Sequence, residues 1–434
     1  MKNTIGFVEL LDKTQAYLSA KHPDALNDKK KYEEVKPLIK QFIRANGYFV
    51  DALSTDELVE TLYADMVEYS FLTEYLTSDE VEEINVNAWN DVAIHFVDGR
   101  VLKSKHFYSP EHAENIVKRL LQHSGMHIDN AMPMATGHLP GNARVAALKS
   151  PLADDDVAVG ASIRLLHPSK IDTTMLVETG SAMPEMLEFL VACLNYGVSF
   201  VIAGATFSGK TTLLNALLRK MPYEKRIITI ESGARELKLV QTDDEGNVLT
   251  NVLHLLSRPS EREMENIDQE DLVNLALRLN PSLIVIGEMR DAEAYSAIDA
   301  ALTGNTIVST IHSYSGQDAH MRLASLCLRR HDMGLDIAMM EAAKAFPVVC
   351  YEQKLGTDRK IMNISECVVT EDGKRSYRTL YRYVVQRNEI VDGKTVVIGH
   401  FEKVSNMSDY LRERMVNYGA PHSILEHFRG EVSK

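Results

Sequence analysis

Val198 to Leu218, VSFVIAGATFSGKTTLLNALL, is the stretch that most constrains this chain. Apolar Val198–Ala203 reads as a buried strand and Thr211–Leu218 continues with helical spacing. Between them Gly204, Ala205, Thr206, Phe207, Ser208, Gly209, Lys210 and Thr211, followed by Thr212, fit the pattern G-x-x-x-x-G-K-[ST]. Gly204 and Gly209 allow a tight turn that brings backbone N–H groups close to phosphate oxygens. A helix opening near Lys210 aims its free N–H groups and positive dipole end at the same anion. Lys210 suits β- and γ-phosphates, and the Thr211 hydroxyl suits Mg²⁺. An ordinary glycine turn is the rival reading; the strand before the loop and the helix after it favour phosphate.

At 434 residues the chain is long enough for two or three domains. Its net charge of −14 argues against stable direct binding to nucleic acid, which rewards basic surfaces. Cys193, Cys327, Cys350 and Cys367 are far apart and form no C-x-x-C pair, so neither a zinc site nor a disulfide framework is expected, and the cytoplasm fits. The N-terminal stretch carries charges within its apolar run, unlike a secretory signal, and nothing reaches the roughly twenty apolar residues of a membrane span.

Residues 1–75 read as helical, with apolar residues three and four apart in FVELLDKTQAYLSAK and KKYEEVKPLIKQFIRANG. Pro37 starts or kinks a helix, the run DKKKYEE reads as a solvated face, and Ser54–Glu57 opens a helix towards Tyr75 with capping-box chemistry. Residues 76–168 read as a small α+β domain, with Asp98-Gly99 as a hairpin turn and Ser109-Pro110 starting a helix that runs to about Ser124. Residues 169–184 read as a linker. Residues 185–434 alternate strand and helix, the signature of a parallel sheet with helices on both faces, and end in antiparallel strands and two helices.

In such sheets ligands bind beyond the carboxyl ends of the strands, where the glycine loop, Glu231, Glu288 and His312 all fall. Glu288 ends an apolar strand, SLIVIGE, and is placed to orient or deprotonate an attacking water. Glu231 ends RIITIE; it could hold Mg²⁺ through water, polarise the nucleophile, or pair structurally with an arginine. His312 could be structural or could sense a γ-phosphate.

With these residues in place the chain resembles the type II/type IV secretion ATPase superfamily, the traffic ATPases. GATFSGKTT resembles its Walker A box, and RIITIESGAREL its acidic box with Glu231 and Glu236. LRLNPSLIVIGEMRDAEA resembles its Walker B region, with Arg278, Pro281, Gly287, Glu288, Arg290 and Glu293, and TGNTIVSTIH its histidine box. LPGNARVAAL and ASIRLL resemble the arginine-bearing strands of its N-terminal domain, at Arg144 and Arg164. EINVNAWNDVAIHFVDG and ISECVVTEDGKRSYRTLYRYVV resemble the Tad-pilus and conjugation branch. The chain departs from the pattern at Phe207, where glycine is usual, at Ser232, where an acid is usual, and at Asn305, where histidine is usual.

The resemblance implies a RecA-like P-loop ATPase domain behind the α+β domain, ATP and Mg²⁺ as ligands, and a homohexameric ring. It also implies a membrane-embedded secretion or pilus platform as partner, with the ring peripheral to the inner face of the cytoplasmic membrane. Nucleotide would lie between the two domains. Arg144 and Arg164 would then clamp the γ-phosphate, their rival role being surface ion pairs. Arg258 and Arg290 are lesser candidates, and Arg290 could instead brace Glu288 or Glu293. The activity implied is ATP hydrolysis that powers secretion, conjugation or pilus assembly through interdomain movement. Two other readings stay open, a nucleotide-binding ring subunit without turnover and a RecA-type DNA translocase.

Overall fold

The computed structural model describes residues 3–27, 32–51, 53–103, 105–122, 124–139, 143–165, 171–233, 235–258, 266–356, 358–391 and 394–429. Residues 28–31 of the charge run, 140–142 of LPGN, 166–168 at the end of the stretch read as the α+β domain and 169–170 of the linker lie outside them. The chain divides into two units, Met1–His167 and Pro168–Lys434.

The first unit opens with β1 (Asn3–Thr4), α1 (Phe7–Lys21), α2 (Pro23–Asn27), α3 (Tyr32–Asn46), β2 (Tyr48–Phe49), α4 (Thr55–Val67) and α5 (Leu72–Leu76). Leu10, Leu18, Val35, Ile39, Leu58 and Leu62 form its core, spaced as amphipathic helices require. Pro37 lies inside α3. Ser54 caps α4 by accepting from Glu57 N at 3.2 Å, and the Glu57 carboxylate accepts from Ser54 N at 2.8 Å. The helix expected to run on to Tyr75 breaks first, because Ser70 takes a left-handed φ of 56° and α5 restarts the turn.

The strands β3 (Val81–Ala88), β4 (Asp91–Phe96) and β5 (Val101–Leu102), the helix α6 (Pro110–Gln122), and the strands β6 (Met134–Leu139), β7 (Ala143–Lys149) and β8 (Val159–Leu165) follow. Their sheet has the order β5-β4-β3-β8-β7-β6 and every pairing is antiparallel. Helix α6 buries Ala113, Ile116, Val117, Leu120 and Leu121. Its Arg119 donates to the carbonyls of Asp65, at 3.2 Å, and Glu68, so the helical part is fastened to the sheet domain.

The second unit begins with α7 (Thr173–Glu178), inside the stretch read as a linker. Asp172 caps it by accepting from Met175 N at 2.8 Å, and Leu176 is buried in the core. Next come α8 (Pro184–Asn195), β9 (Phe200–Gly204), α9 (Lys210–Leu218), β10 (Ile227–Glu231), β11 (Val252–Leu256), α10 (Gln269–Ala276), β12 (Leu283–Met289), α11 (Glu293–Leu302) and β13 (Ile307–His312). The chain continues through α12 (Ala319–Cys327), α13 (Leu335–Ala345), β14 (Val348–Leu355), β15 (Asp358–Val369), β16 (Arg375–Val391), β17 (Lys394–Lys403), α14 (Asp409–Asn417) and α15 (His422–His427).

One sheet orders these strands β11-β10-β12-β13-β9-β14-β15-β16-β17. It is parallel as far as β14, which pairs parallel with β9 and antiparallel with β15. The central strand β9 is buried on both faces: Phe200 and Ile202 enter one core, Val201 and Ala203 the other. That explains its unbroken apolar run. The four cysteines are free and buried. No helix among the described residues is long and apolar enough to cross a membrane.

Candidate functional site

Four neighbouring parallel strands, β10, β12, β13 and β9, bring Glu231, Glu288, His312 and Gly204 to one edge of the sheet. His312 lies directly opposite Gly204. Between β12 and β13 the register shifts after Ile286, an irregularity of the kind that re-aims side chains, and Glu288 falls within it. Thr310 holds this turn of β12 by donating to Gly287 O at 2.7 Å.

After β9 the loop exposes Ala205, Thr206 and Phe207 and buries Ser208. Phe207 and Gly209 both take positive φ, 64° and 111°, before Lys210 opens α9 with Thr211 and Thr212 half-buried in its first turn. Lys210 is folded back into its own loop. Its Nζ donates to Gly204 O at 3.1 Å and Ala205 O at 2.7 Å, and lies 3.3 Å from His312 Nδ1. His312 Nε2 lies 2.8 Å from Glu288 Oε1, and Arg290 donates to Glu288 Oε2 at 2.5 Å. His312 Nδ1 lies 3.3 Å from two groups of opposite kind, the Lys210 ammonium, which only donates, and Gly204 O, which only accepts. Lys210, His312, Glu288 and Arg290 thus form one continuous polar chain.

Electrostatics fix the charges in this chain. Burial alone would raise the Glu288 carboxyl. The Arg290 hydrogen bond and charge, helped by His312 and Lys210, hold it below the ordinary carboxylate value. Burial and the Lys210 ammonium lower His312, which keeps the imidazole neutral at neutral pH. Arg290 also donates its backbone N–H to Glu293, at 2.5 Å, so it braces both acids.

Glu231 stands one strand further out. Its Oε1 accepts from Glu236 N at 2.6 Å and Leu237 N at 2.9 Å, while its buried Oε2 has no hydrogen-bond partner among the described residues. Burial pushes this carboxyl up to about 7 against the pull of the two N–H groups.

The family follows from here. A family model of type II/IV secretion system proteins matches residues 67–415, which takes in the whole constellation. The chain belongs to the type II/IV secretion system protein family. Among relatives of this family, PtlH, a type IV secretion system protein of Bordetella pertussis, is 30% identical over 218 residues, 45% of this chain and 62% of that protein. An uncharacterized protein of Methanocaldococcus jannaschii is 32% identical over 209 residues, 48% of this chain and 36% of that protein. The chain therefore spans less than two thirds of the length of the first curated relatives it matches. The crystal structure of the Legionella pneumophila ATPase DotB is similar at 19% identity and a TM-score of 0.47, covering 82% of this chain and 85% of that one. The second unit has the RecA-like P-loop fold, with the loop strand β9 and the acid-bearing strand β12 separated by β13.

Arg144 and Arg164 lie in the first unit, directly opposite each other on β7 and β8, and Arg164 also lies opposite Glu83 on β3. Residues so paired share a face, and the two like charges repel each other there. Arg258 sits in an isolated bridge with Ile267. For Mg²⁺, the Thr211 hydroxyl and the unpartnered Oε2 of Glu231 are hard oxygen donors of the right kind. No group of three or more His, Cys, Asp or Glu able to hold a metal occurs among the described residues.

Two charged residues beside the loop escape a reading of the sequence. Arg359, on β15, donates from Nε to Phe207 O at 3.3 Å. Glu352, on β14, is 3% exposed and lies against the loop glycines. The only sequence signal is a glutamate interrupting the apolar run VVCYEQKL.

Proposed function

We propose that this chain hydrolyses ATP and couples the reaction to a secretion, conjugation or pilus-assembly machine. The observation that carries the reading is the Lys210–His312–Glu288–Arg290 chain, set where backbone N–H groups of the glycine loop and α9 await an anion. Lys210 exchanges the carbonyls of Gly204 and Ala205 for the β- and γ-phosphates. The Glu288 carboxylate, kept ionised by Arg290, orients the attacking water in line with the γ-phosphate. Neutral His312 shares its two nitrogens between Lys210 and Glu288, so it reports phosphate binding to the acid. Mg²⁺, held by Thr211 and Glu231, would neutralise charge on the phosphate oxygens. Arg144 and Arg164 enter as donors to the γ-phosphate. A homohexamer peripheral to the cytoplasmic membrane, working on a membrane-embedded platform, belongs to the same proposal, as does the Tad-pilus and conjugation branch.

The test is ATP turnover with Mg²⁺ across a series of protein concentrations, with Glu288→Gln alongside. Turnover rising more than in proportion to concentration, with kcat lowered roughly a hundred-fold or more in the variant, supports the reading. A variant as active as the parent overturns it. ATP binding without turnover at any concentration transfers the chain to the class of non-catalytic ring subunits.

A further inference from the structure

Behind the phosphate loop runs β14, the strand that joins the parallel and antiparallel halves of the sheet. Where its pairing with β9 ends, at Tyr351 opposite Ala203, Glu352 comes to lie beside the loop. Its backbone carbonyl and its carboxyl each press on one of the two motif glycines. A Cβ placed on Gly204 would lie 2.2 Å from Glu352 O, and one on Gly209 would lie 2.6 Å from Glu352 Oε1. The motif glycines are thus required from behind as well as by the phosphates in front. Glu352 Oε2 is buried without a hydrogen-bond partner among the described residues.

We infer that Glu352 is a positioning residue for the phosphate loop: its uncharged carboxyl leaves the loop and Lys210 free to take the polyphosphate of a nucleoside triphosphate, and its carboxylate withdraws them. The inference rests on the ATP reading above and adds a control to it. The physical argument is charge placement. Gly209 caps α9, where the positive end of the helix dipole and the free N–H groups must meet an anion. A negative charge already lodged behind Gly209 occupies that field. It also holds the Lys210 ammonium, which has to move to the phosphates. The groups facing Glu352 are Lys210 at the head of α9 and Arg359 on β15, both of which favour ionisation. The buried Cys350 thiol, on β14 itself, is held protonated by its own burial and by Glu352. β9 presents only Gly204 at this point. Burial outweighs the two cations and pushes the Glu352 carboxyl up to about 8.

The experiment measures the dissociation constant of a fluorescent ATP analogue, and KM and kcat for Mg²⁺-ATP, on the full chain from about pH 6.5 to about pH 9.5. Glu352→Gln and Arg359→Gln are measured beside the parent. Titration of the nucleotide itself and of Glu231 is common to all three and cancels in the comparison. The parent is expected to lose affinity by up to about tenfold between about pH 7 and about pH 9, the change in the fraction of uncharged Glu352. In Glu352→Gln this loss disappears, with kcat within about twofold of the parent at neutral pH. Removing Arg359 removes a cation that favours the carboxylate, so its variant shifts the affinity loss to higher pH. A residue that merely filled space would move neither profile. Superimposable profiles for parent and Glu352→Gln, or a shift to lower pH in Arg359→Gln, overturn the inference. Should Glu352→Gln fail to fold, the Arg359→Gln profile decides alone. A parent that binds no nucleotide at any pH overturns the ATP reading itself.

Discussion

His312 Nε2 lies 2.8 Å from Glu288 Oε1, while the other ring nitrogen lies 3.3 Å from Lys210 Nζ. Under the ATP reading proposed above, the ring couples the cation that would bind phosphate to the acid that would face the water. His312→Ala is expected to lower kcat by roughly ten- to a hundred-fold, because it unseats Glu288, with a smaller change in nucleotide affinity, because Lys210 keeps its contacts to Gly204 O and Ala205 O. Burial and Lys210 lower the imidazole, so its neutral form predominates at neutral pH. Turnover should fall as pH drops below the ordinary histidine value of about 6.5, when a second cation forms beside Lys210. A steady-state pH profile checks both points: the variant should lack that part of the acid limb.

Phe207 holds a left-handed backbone, φ 64°, at a position where a side chain costs about 1–2 kcal/mol and glycine costs nothing. The residue is 39% exposed, so either variant gives up the burial of much of the ring, on the order of 1–2 kcal/mol, and the two share that loss. Arg359 contacts the backbone carbonyl, which every variant keeps. Against the relief stands the roughly 0.5–1 kcal/mol of extra chain entropy that glycine brings to the unfolded state. Phe207→Gly should therefore be more stable than Phe207→Ala, by about 0.5 kcal/mol, since alanine keeps the Cβ that clashes. Thermal unfolding of the two variants side by side distinguishes them. Equal melting temperatures for glycine and alanine would remove the strain argument.

The elements legible in the sequence are those whose signal is local. Phe200–Gly204, Ile227–Glu231, Leu283–Met289 and Ile307–His312 are mainly apolar runs with a glycine, glutamate or histidine at or next to the end, and all four are parallel strands of the sheet. Ser54–Glu57 and Ser109-Pro110 announce helices because capping is a contact over three residues. What the sequence hides is long-range. Val348–Leu355 pairs with β9, with Val348 opposite Phe200 and so 148 residues away along the chain, and its buried Glu352 interrupts the apolar pattern that would mark a central strand. Val252–Leu256 is an edge strand, half-buried throughout, and Thr173–Glu178 hides among Thr, Ser and Gly until Leu176 finds the core. The chain Lys210–His312–Glu288 was readable as three separate residues. Only the strand order β12-β13-β9 makes them one network.

Glu366 is fully buried on β15 and fastens the C-terminal helices to the sheet. It accepts from Ser408 N at 2.8 Å and from the Ser408 hydroxyl, and that hydroxyl in turn caps α14 by accepting from Leu411 N at 3.1 Å. Glu366→Ala leaves the part-buried Ser408 N–H without its acceptor and frees the cap. The expected cost is about 2–4 kcal/mol, seen as a lower denaturant midpoint, with protease cleavage appearing near residue 405. Glu366→Gln keeps an acceptor for one of the two donors and should lose about half as much. If the α14 segment stays protease-resistant in Glu366→Ala, the packing of Leu411 and Met415 alone holds it.

Glu231 makes the stability of the second unit fall as pH rises. Its carboxyl is pushed up to about 7 in the folded chain by burial, from an ordinary value of 4.5. Between those two values the folded state holds a proton that the unfolded state has released. The folded state is therefore favoured at low pH, and this contribution is lost as pH climbs through the interval. Carried through, the loss is on the order of 3 kcal/mol for a group this buried. Glu231→Gln cannot ionise and should show a shallower decline in melting temperature from about pH 5 to about pH 8. The comparison is made in magnesium-free buffer, because a cation on the unpartnered Oε2 would favour the carboxylate and mask the effect. Adding Mg²⁺ and nucleotide should then flatten the parent's decline and leave the variant's unchanged. Identical slopes for parent and variant in magnesium-free buffer would mean that the two backbone N–H groups, not burial, govern this carboxyl.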